Sequence, residues 1–361
     1  MSKSKTKNPR YTLNQQGEFV IENYNYSRPF ANFFPGISGK YGIPMWTFYV
    51  NRGQAISSFG TRGKDQAITE FFPANKAWQL VSTYGFRTFI KIYSSGKTTF
   101  YEPFHNGFSS SGFDISNRMR ISAHALVIEE ENRTLGISVA VRYFNIPNDL
   151  YAGLVRVVTV KNIGGKKRDI QLLDGLAQVV PFGTNDFCLK NMSRTIEAWM
   201  RVVNLEKKVP FFKLSVDPAD RPEVVHIKEG NFYLGFDRAN AKARLIKPIV
   251  DPECIFGAVT DFSLPQEFLS KNNFQYPLEQ VKDSKMPCAF LLLDFSLLSG
   301  KEKTFYTVVG SMRSLQLLNS SVKRIASVEY LAKKESVNKE LIDGVGEDIY
   351  TKSSSRELDL Y

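Results

Sequence analysis

Arg52, Gln54, Arg62 and Lys64 fall within one short stretch of the chain, and Tyr41 and Trp46 stand just before them. These are residue types that bind rather than cut. An arginine can grip a carboxylate or phosphate through two parallel N–H groups, and a glutamine amide both donates to and accepts from hydroxyls. Tyrosine and tryptophan faces beside such groups suit flat polar ligands such as sugars, and they suit protein interfaces equally well. The surrounding segment, residues 28–91, interleaves aromatics, glycines, prolines and arginines without a helical period. Glycine lets a backbone turn at positive φ or approach another surface closely. The segment therefore reads as a shaped rim.

Residues suited to bond cleavage are not grouped in the same way. Asp65, Glu70, Asp114, Asp174 and Asp186 belong to no acid motif and read as turn, cap or salt-bridge residues. His105, His124 and His226 are isolated and lack metal-ligand spacing. There is no GxSxG nucleophile elbow and no GxxxxGK[ST] phosphate loop. Gly36, Gly39 and Gly42 recur at three-residue spacing, which reads as a tight β connection. The expectation is a chain with no catalytic residue, no metal ligand and no cofactor of its own. Cys188, Cys254 and Cys288 are far apart and form no CxxC, as expected for reduced thiols in a cytoplasmic protein.

The formal charge of +11 and the pI near 9.3 point to an anionic partner. Part of the excess lies in the N-terminal stretch with Lys3, Lys5, Lys7 and Arg10, and the rest is scattered among acids. No RNA-recognition, zinc-finger or helix-turn-helix signature accompanies it, so nucleic acid is the lesser reading and a phosphate-containing small molecule the gentler one. No apolar run reaches the roughly 18 residues of a membrane span.

The elements that must position these residues are mostly strands. Short β-rich runs bounded by turn residues recur at 19–24, 45–50, 85–92, 211–216, 224–227, 232–236, 289–295 and 303–309. Residues 121–129 and 135–144 read as a hairpin with a polar tip at 130–134. Residues 151–160 and 168–180, around an Asn/Gly/Lys turn, read as the clearest hairpin in the chain. No βαβ alternation appears. Val322, Ile325, Val328, Tyr330 and Leu331 recur at helical spacing, so 321–341 reads as one amphipathic helix ended at Gly344 and Gly346. Its apolar stripe suits a partner domain and its own sandwich equally. The predicted fold is mainly β: a large antiparallel super-β-sandwich over 11–320, a disordered basic tail at 1–10, and a helical linker and tail at 321–361.

Several blocks in this frame carry a resemblance. They are Pro35-Gly36-Ile37, Tyr41 to Trp46, Val50 to Gln54, Glu70 to Ala77 and Gly85 to Phe89, with Leu154 to Gly183 and Ala198 to Asn204 further on. Together they resemble the N-terminal domain of inverting glycoside phosphorylases related to cellobiose phosphorylase, and more closely the β-1,3-glucan oligosaccharide phosphorylase branch. That resemblance implies a super-β-sandwich, a helical linker, and an (α/α)6 barrel that carries the general acid and most of the phosphate site. It implies that this chain stops before the barrel, as a fragment or split-gene subunit. The implied partners are a barrel-bearing catalytic subunit and a β-glucan oligosaccharide in an oligomer, with inorganic phosphate as co-substrate. It also implies that Tyr41, Trp46, Arg52, Gln54, Arg62 and Lys64 line an oligosaccharide path at the mouth of the active site; the competing reading is structural, with Trp46 and Phe48 in the sandwich core and Arg52 bracing a turn. The alternative is a stand-alone carbohydrate-binding protein.

Overall fold

A computed structural model describes residues 8–94, 96–105, 107, 112–219, 222–239, 242–348 and 352–355. The expectations for Lys3, Lys5, Lys7 and for the end of the chain from 356 onward lie outside the described residues. Arg10 opens a strand rather than continuing a tail.

The chain folds as a mainly β, antiparallel sandwich. Its large, 11-stranded sheet follows the order β1 (Arg10–Leu13), β2 (Phe19–Glu22), β9 (Ile115–Ile121), β10 (Leu126–Asn132), β11 (Ile137–Asn145), β12 (Ala152–Asn162), β19 (Glu302–Met312), β16 (Gly230–Ala239), β15 (Phe211–Leu214) and β14 (Met200–Val203). A side strand, β17 (Lys242–Ile246), pairs with β16. A middle sheet contains β18 (Ala289–Leu297), β13 (Arg168–Leu176), β7 (Phe86–Ser94) and β8 (Lys97–Tyr101). A rim sheet contains β3 (Ala31–Phe34), β4 (Met45–Val50), β5 (Ile56–Thr61) and β6 (Ala67–Thr69).

Alternation along the strands sorts their side chains into layers. Leu154, Val158 and Val160 of β12 enter the main core with Ile170, Leu172 and Leu176 of β13 and with Tyr49, Ile56 and Phe59 of the rim sheet. The opposite face of the middle sheet is buried as well. Phe89, Leu173 and Phe290 pack there against Ile255 and Phe256 of α2 (Glu253–Phe256) and Phe268 of α3 (Gln266–Ser270). The rim sheet's outer face is covered by α1 (Ala74–Tyr84) through Ala77 and Val81.

Three expectations about elements are corrected. β12 and β13 do not form a hairpin: β12 pairs with β11 and β19, whereas β13 pairs with β18 and β7. The turn between them carries the chain from one layer to the next. The reason is visible in β13, which is buried on both faces and so belongs in a middle layer. The run at 121–129 is divided by a turn in which Ser122 and Ala125 bond each other, so the strand of the real hairpin with β11 begins at Leu126. Residues 224–227 form no strand: His226 makes an isolated bridge to Val216, the Val225 carbonyl accepts from the Asp217 N–H, and Val224 is 73% exposed.

The C-terminal region forms two helices instead of one, α4 (Leu315–Ile325) and α5 (Val328–Asp348). Ala326 leaves helical geometry, and the Ser327 hydroxyl then accepts from the Tyr330 N–H to cap the second helix. The glycines at 344 and 346 do not stop α5, which continues to Asp348. Both helices pack on the large sheet's outer face, where Leu318, Ile325 and Leu331 meet Val155, Leu234 and Val308. The apolar stripe is thus used within the chain.

The three sheets meet at one buried cation. Arg156 of β12 has no exposed side-chain surface and pairs with the equally buried Asp174 of β13 through both terminal nitrogens. It also donates to Thr88 of β7 at 3.3 Å, to the Gln54 carbonyl oxygen of the β4–β5 turn at 2.5 Å, and to the Tyr143 hydroxyl of β11 at 3.3 Å. Burial opposes its charge, and the Asp174 carboxylate more than restores it. Arg156→Met would strand that carboxylate in the core, and such losses cost about 3–5 kcal/mol. Urea denaturation of the variant should show a loss of this size; a loss below about 1 kcal/mol would mean that the pair behaves like a surface bridge.

Candidate functional site

The rim sheet presents a group of half-buried aromatic rings. Phe33 of β3 is 47% exposed, and its ring lies 4.6 Å from Phe48 and 6.5 Å from Phe71, nearly parallel to the latter. Trp46 of β4 meets Phe71 edge-on at 5.7 Å. The Trp46 indole N–H donates to the Gly63 carbonyl at 3.2 Å, which pins the ring against the β5–β6 turn. Gly60 is required beneath it: a Cβ there would come within 2.4 Å of the Gln66 carbonyl and 2.9 Å of the indole. Arg62 sits at the tip of that turn with φ of 57° and is exposed.

An ionised cluster borders these rings. Asp186 accepts from Lys64 at 2.8 Å and from Lys190 at 2.7 Å, and its backbone N–H donates to Asp65 at 3.1 Å. Burial works against its charge, but the bonds from Lys190 and Lys64 prevail and hold the carboxyl below its ordinary range. Glu70 follows β6 and behaves oppositely. Burial raises its carboxyl, Lys190 opposes the rise, and Asp186 adds to it. The two neighbouring carboxyls are thus pushed in opposite directions. Phe187, next to Asp186 in the chain, leaves its ring 65% exposed.

Of the six residues expected to line a ligand path, Trp46, Arg62 and Lys64 come together here. Arg52 and Gln54 do not. Arg52 spends its guanidinium on the carbonyls of Tyr24, Asn51 and Ser27 and lies 4.6 Å over the Trp78 ring, so it braces a turn. Gln54 is 2% exposed and belongs to the Arg156 network, where its amide donates to Thr88 at 2.8 Å. Tyr41 is 71% exposed and borders a different cleft, with Leu150, Arg324, Tyr330 and Lys333. Its loop folds over Asn148, whose N–H donates to Ser38, and Gly39 at φ of 74° makes the bend.

Phe33, Phe71, Glu70 and Asp186 were not singled out as ligand-facing. Phe33 fell in none of the predicted strands, Phe71 entered only as part of the Glu70 to Ala77 block, and the sequence separation of Asp186 from Lys64 concealed their meeting. The one signal available was the local run Glu70-Phe71-Phe72-Pro73, an acid beside aromatics at a chain bend. Among the described residues no group of three or more potential metal ligands occurs. Cys188, Cys254 and Cys288 form no disulfide, and burial pushes the Cys254 thiol up to about 11.

No protein-family model and no curated protein matches this chain. Solved structures similar to it include a bacterial glucoamylase complexed with acarbose (TM-score 0.45, 7% identity, 88% of this chain and 38% of that one). A polysaccharide lyase (TM-score 0.42, 12% identity, 78% and 34%) and a putative kojibiose phosphorylase from the human microbiome (TM-score 0.35, 10% identity, 90% and 31%) are also similar. The chain spans about a third of the length of these proteins. Superposition at this level assigns neither a family nor an activity.

The opposed carboxyls give a signed test. A carboxyl raised on folding loses its contribution as pH rises through its folded value; one held low contributes above its unfolded value and loses that as pH falls. Between about pH 4 and pH 7, Glu70→Gln should therefore gain stability relative to the parent, and Asp186→Asn should lose it. Thermal melts across that range check both signs, and parallel trends would refute the assignment.

Proposed function

We propose that this chain is the N-terminal sandwich part of a β-glucan oligosaccharide phosphorylase. It binds the glucan on its aromatic rim and closes the active-site mouth of a separate (α/α)6 barrel chain, which supplies the acid for phosphorolysis. The observation that carries this reading is the rim itself: residues 31–84, which hold much of the phosphorylase-like sequence, form one continuous sheet-and-helix unit. That unit displays Phe33, Trp46 and Phe71 beside Lys64, Arg62 and Asp186. Pyranose rings stack their C–H faces on aromatic surfaces while charged and amide groups take their hydroxyls. A rim of this kind can hold sugar without performing the bond cleavage.

A rim built on a sheet is already formed in the chain alone, and this favours the second reading, a stand-alone carbohydrate-binding protein. Calorimetry with laminari-oligosaccharides should show binding by the isolated chain that falls several-fold to about tenfold in Phe33→Ala, because one aromatic contact is lost. Native mass of the protein from its own source should show a second chain added to multiples of 41.0 kDa, with sugar 1-phosphate released from glucan and phosphate. Binding without a second chain or phosphorolysis would replace the first reading by the second. Absence of glucan binding in both settings would end both.

A further inference from the structure

Arg201 and Lys213 face each other directly across the β14–β15 pair. Like charges in that position repel and weaken a sheet. Elsewhere in the molecule, crowded cations share a buried aspartate. Asp149 serves Arg324 and Lys334, Asp186 serves Lys64 and Lys190, and Asp237 serves Arg244 and Lys303, each with a side chain no more than 8% exposed. Arg201 and Lys213 have no such carboxylate between them. Arg201 pairs at 2.9 Å with Asp283, which is 59% exposed, and the Lys213 ammonium donates to the Ile227 carbonyl.

The two cations open onto a cleft of about 370 Å³. Lys228 and His226 reach it from the following segment, and Ser215 adds a hydroxyl. No carboxylate is among the described residues that line it. Its remaining lining is apolar, from Val203, Val216, the buried Phe211 and Leu315, the first residue of α4. Burial lowers the affinity of Lys213 for its proton, and Arg201 lowers it further, so an anion placed between them would relieve both effects.

We propose that this cleft is a binding site for a phosphate monoester, with the phosphate between Arg201 and Lys213 and the neutral body of the ligand over Val203, Phe211 and Leu315. A phosphate monoester carries about −1.5 to −2 charges at neutral pH and three acceptor oxygens, which matches paired cations with donors to spare. The site lies at the β14 edge of the large sheet, on elements separate from the aromatic rim, and stands independently of the reading given for that rim.

Isothermal titration of the full chain at low ionic strength with glucose 1-phosphate and with inorganic phosphate tests this. Saturable binding of glucose 1-phosphate is expected, weakened about tenfold in Lys213→Met and in Arg201→Met and unchanged in Lys333→Met. Each substitution relieves the like-charge pair but gives up one contact, that of Arg201 with Asp283 or of Lys213 with the Ile227 carbonyl, so the urea midpoint should move no more than it does for an ordinary surface substitution. That combination separates a ligand site from a structural one. Inorganic phosphate should bind several-fold more weakly; equal affinity would overturn the assignment of the apolar floor to the ligand body. No saturation by about 10 mM, or equal binding by the parent and both site variants, would overturn the site itself.

Discussion

The guanidinium of Arg156 is the contact on which the layering depends. A large antiparallel sheet and two smaller ones can share an apolar core in many relative positions, since hydrophobic contact is non-directional. A buried arginine has a fixed planar set of donors and tolerates few arrangements. Asp174 must come from the middle sheet, Gln54 from the rim sheet and Tyr143 from the neighbouring strand of its own sheet, all at hydrogen-bond distance. Phe86 closes the site with its ring 4.9 Å from the guanidinium. The cation is costly to bury, and its full set of partners links the position of each sheet to the other two.

The same arrangement decides what the rim can offer a ligand. Gln54 is drawn inward, and Arg52 is consumed in tying the Tyr24–Ser27 segment to the β4–β5 turn. The surface left for binding therefore shifts along the rim sheet, toward Phe33, Trp46 and the β5–β6 turn. Asp186 arrives there from a distant part of the chain and pairs with the exposed Lys64, beside Arg62 at the tip of the turn. Rigid aromatic rings held by backbone bonds, such as that from Trp46 to Gly63, lose little entropy when a ligand stacks on them.

On the other side of the large sheet, α4 and α5 close the apolar surface that the sandwich leaves open. Asp149, 4% exposed, gathers Arg324, Lys334 and the Tyr330 hydroxyl from both helices, and Asn338 reaches the His124 carbonyl further along. The pairs Arg324 and Lys334, Lys64 and Lys190, and Arg244 and Lys303 are each organised in this way, around a buried aspartate. The pair at Arg201 and Lys213 departs from that pattern, at the edge where the large sheet meets the start of α4.

Much was legible in the chain alone. Strand-like alternation, frequent turns and the lack of βαβ alternation determine a mainly β, antiparallel protein, because each of these signals is local. The amphipathic stripe of the last helices was legible for the same reason. Which sheet each strand joins was not. The runs at 151–160 and 168–180 look like hairpin partners, and only burial of β13 on both faces assigns them to different layers. The candidate ligand residues divide likewise: residue type singled out Trp46, Arg62 and Lys64, which meet at the rim, but Gln54 and Arg52 have the same chemistry and are taken up by partners within the fold. Hydrogen-bonding capacity belongs to a side chain, whereas its availability to a ligand depends on which partners the tertiary fold has already brought to it.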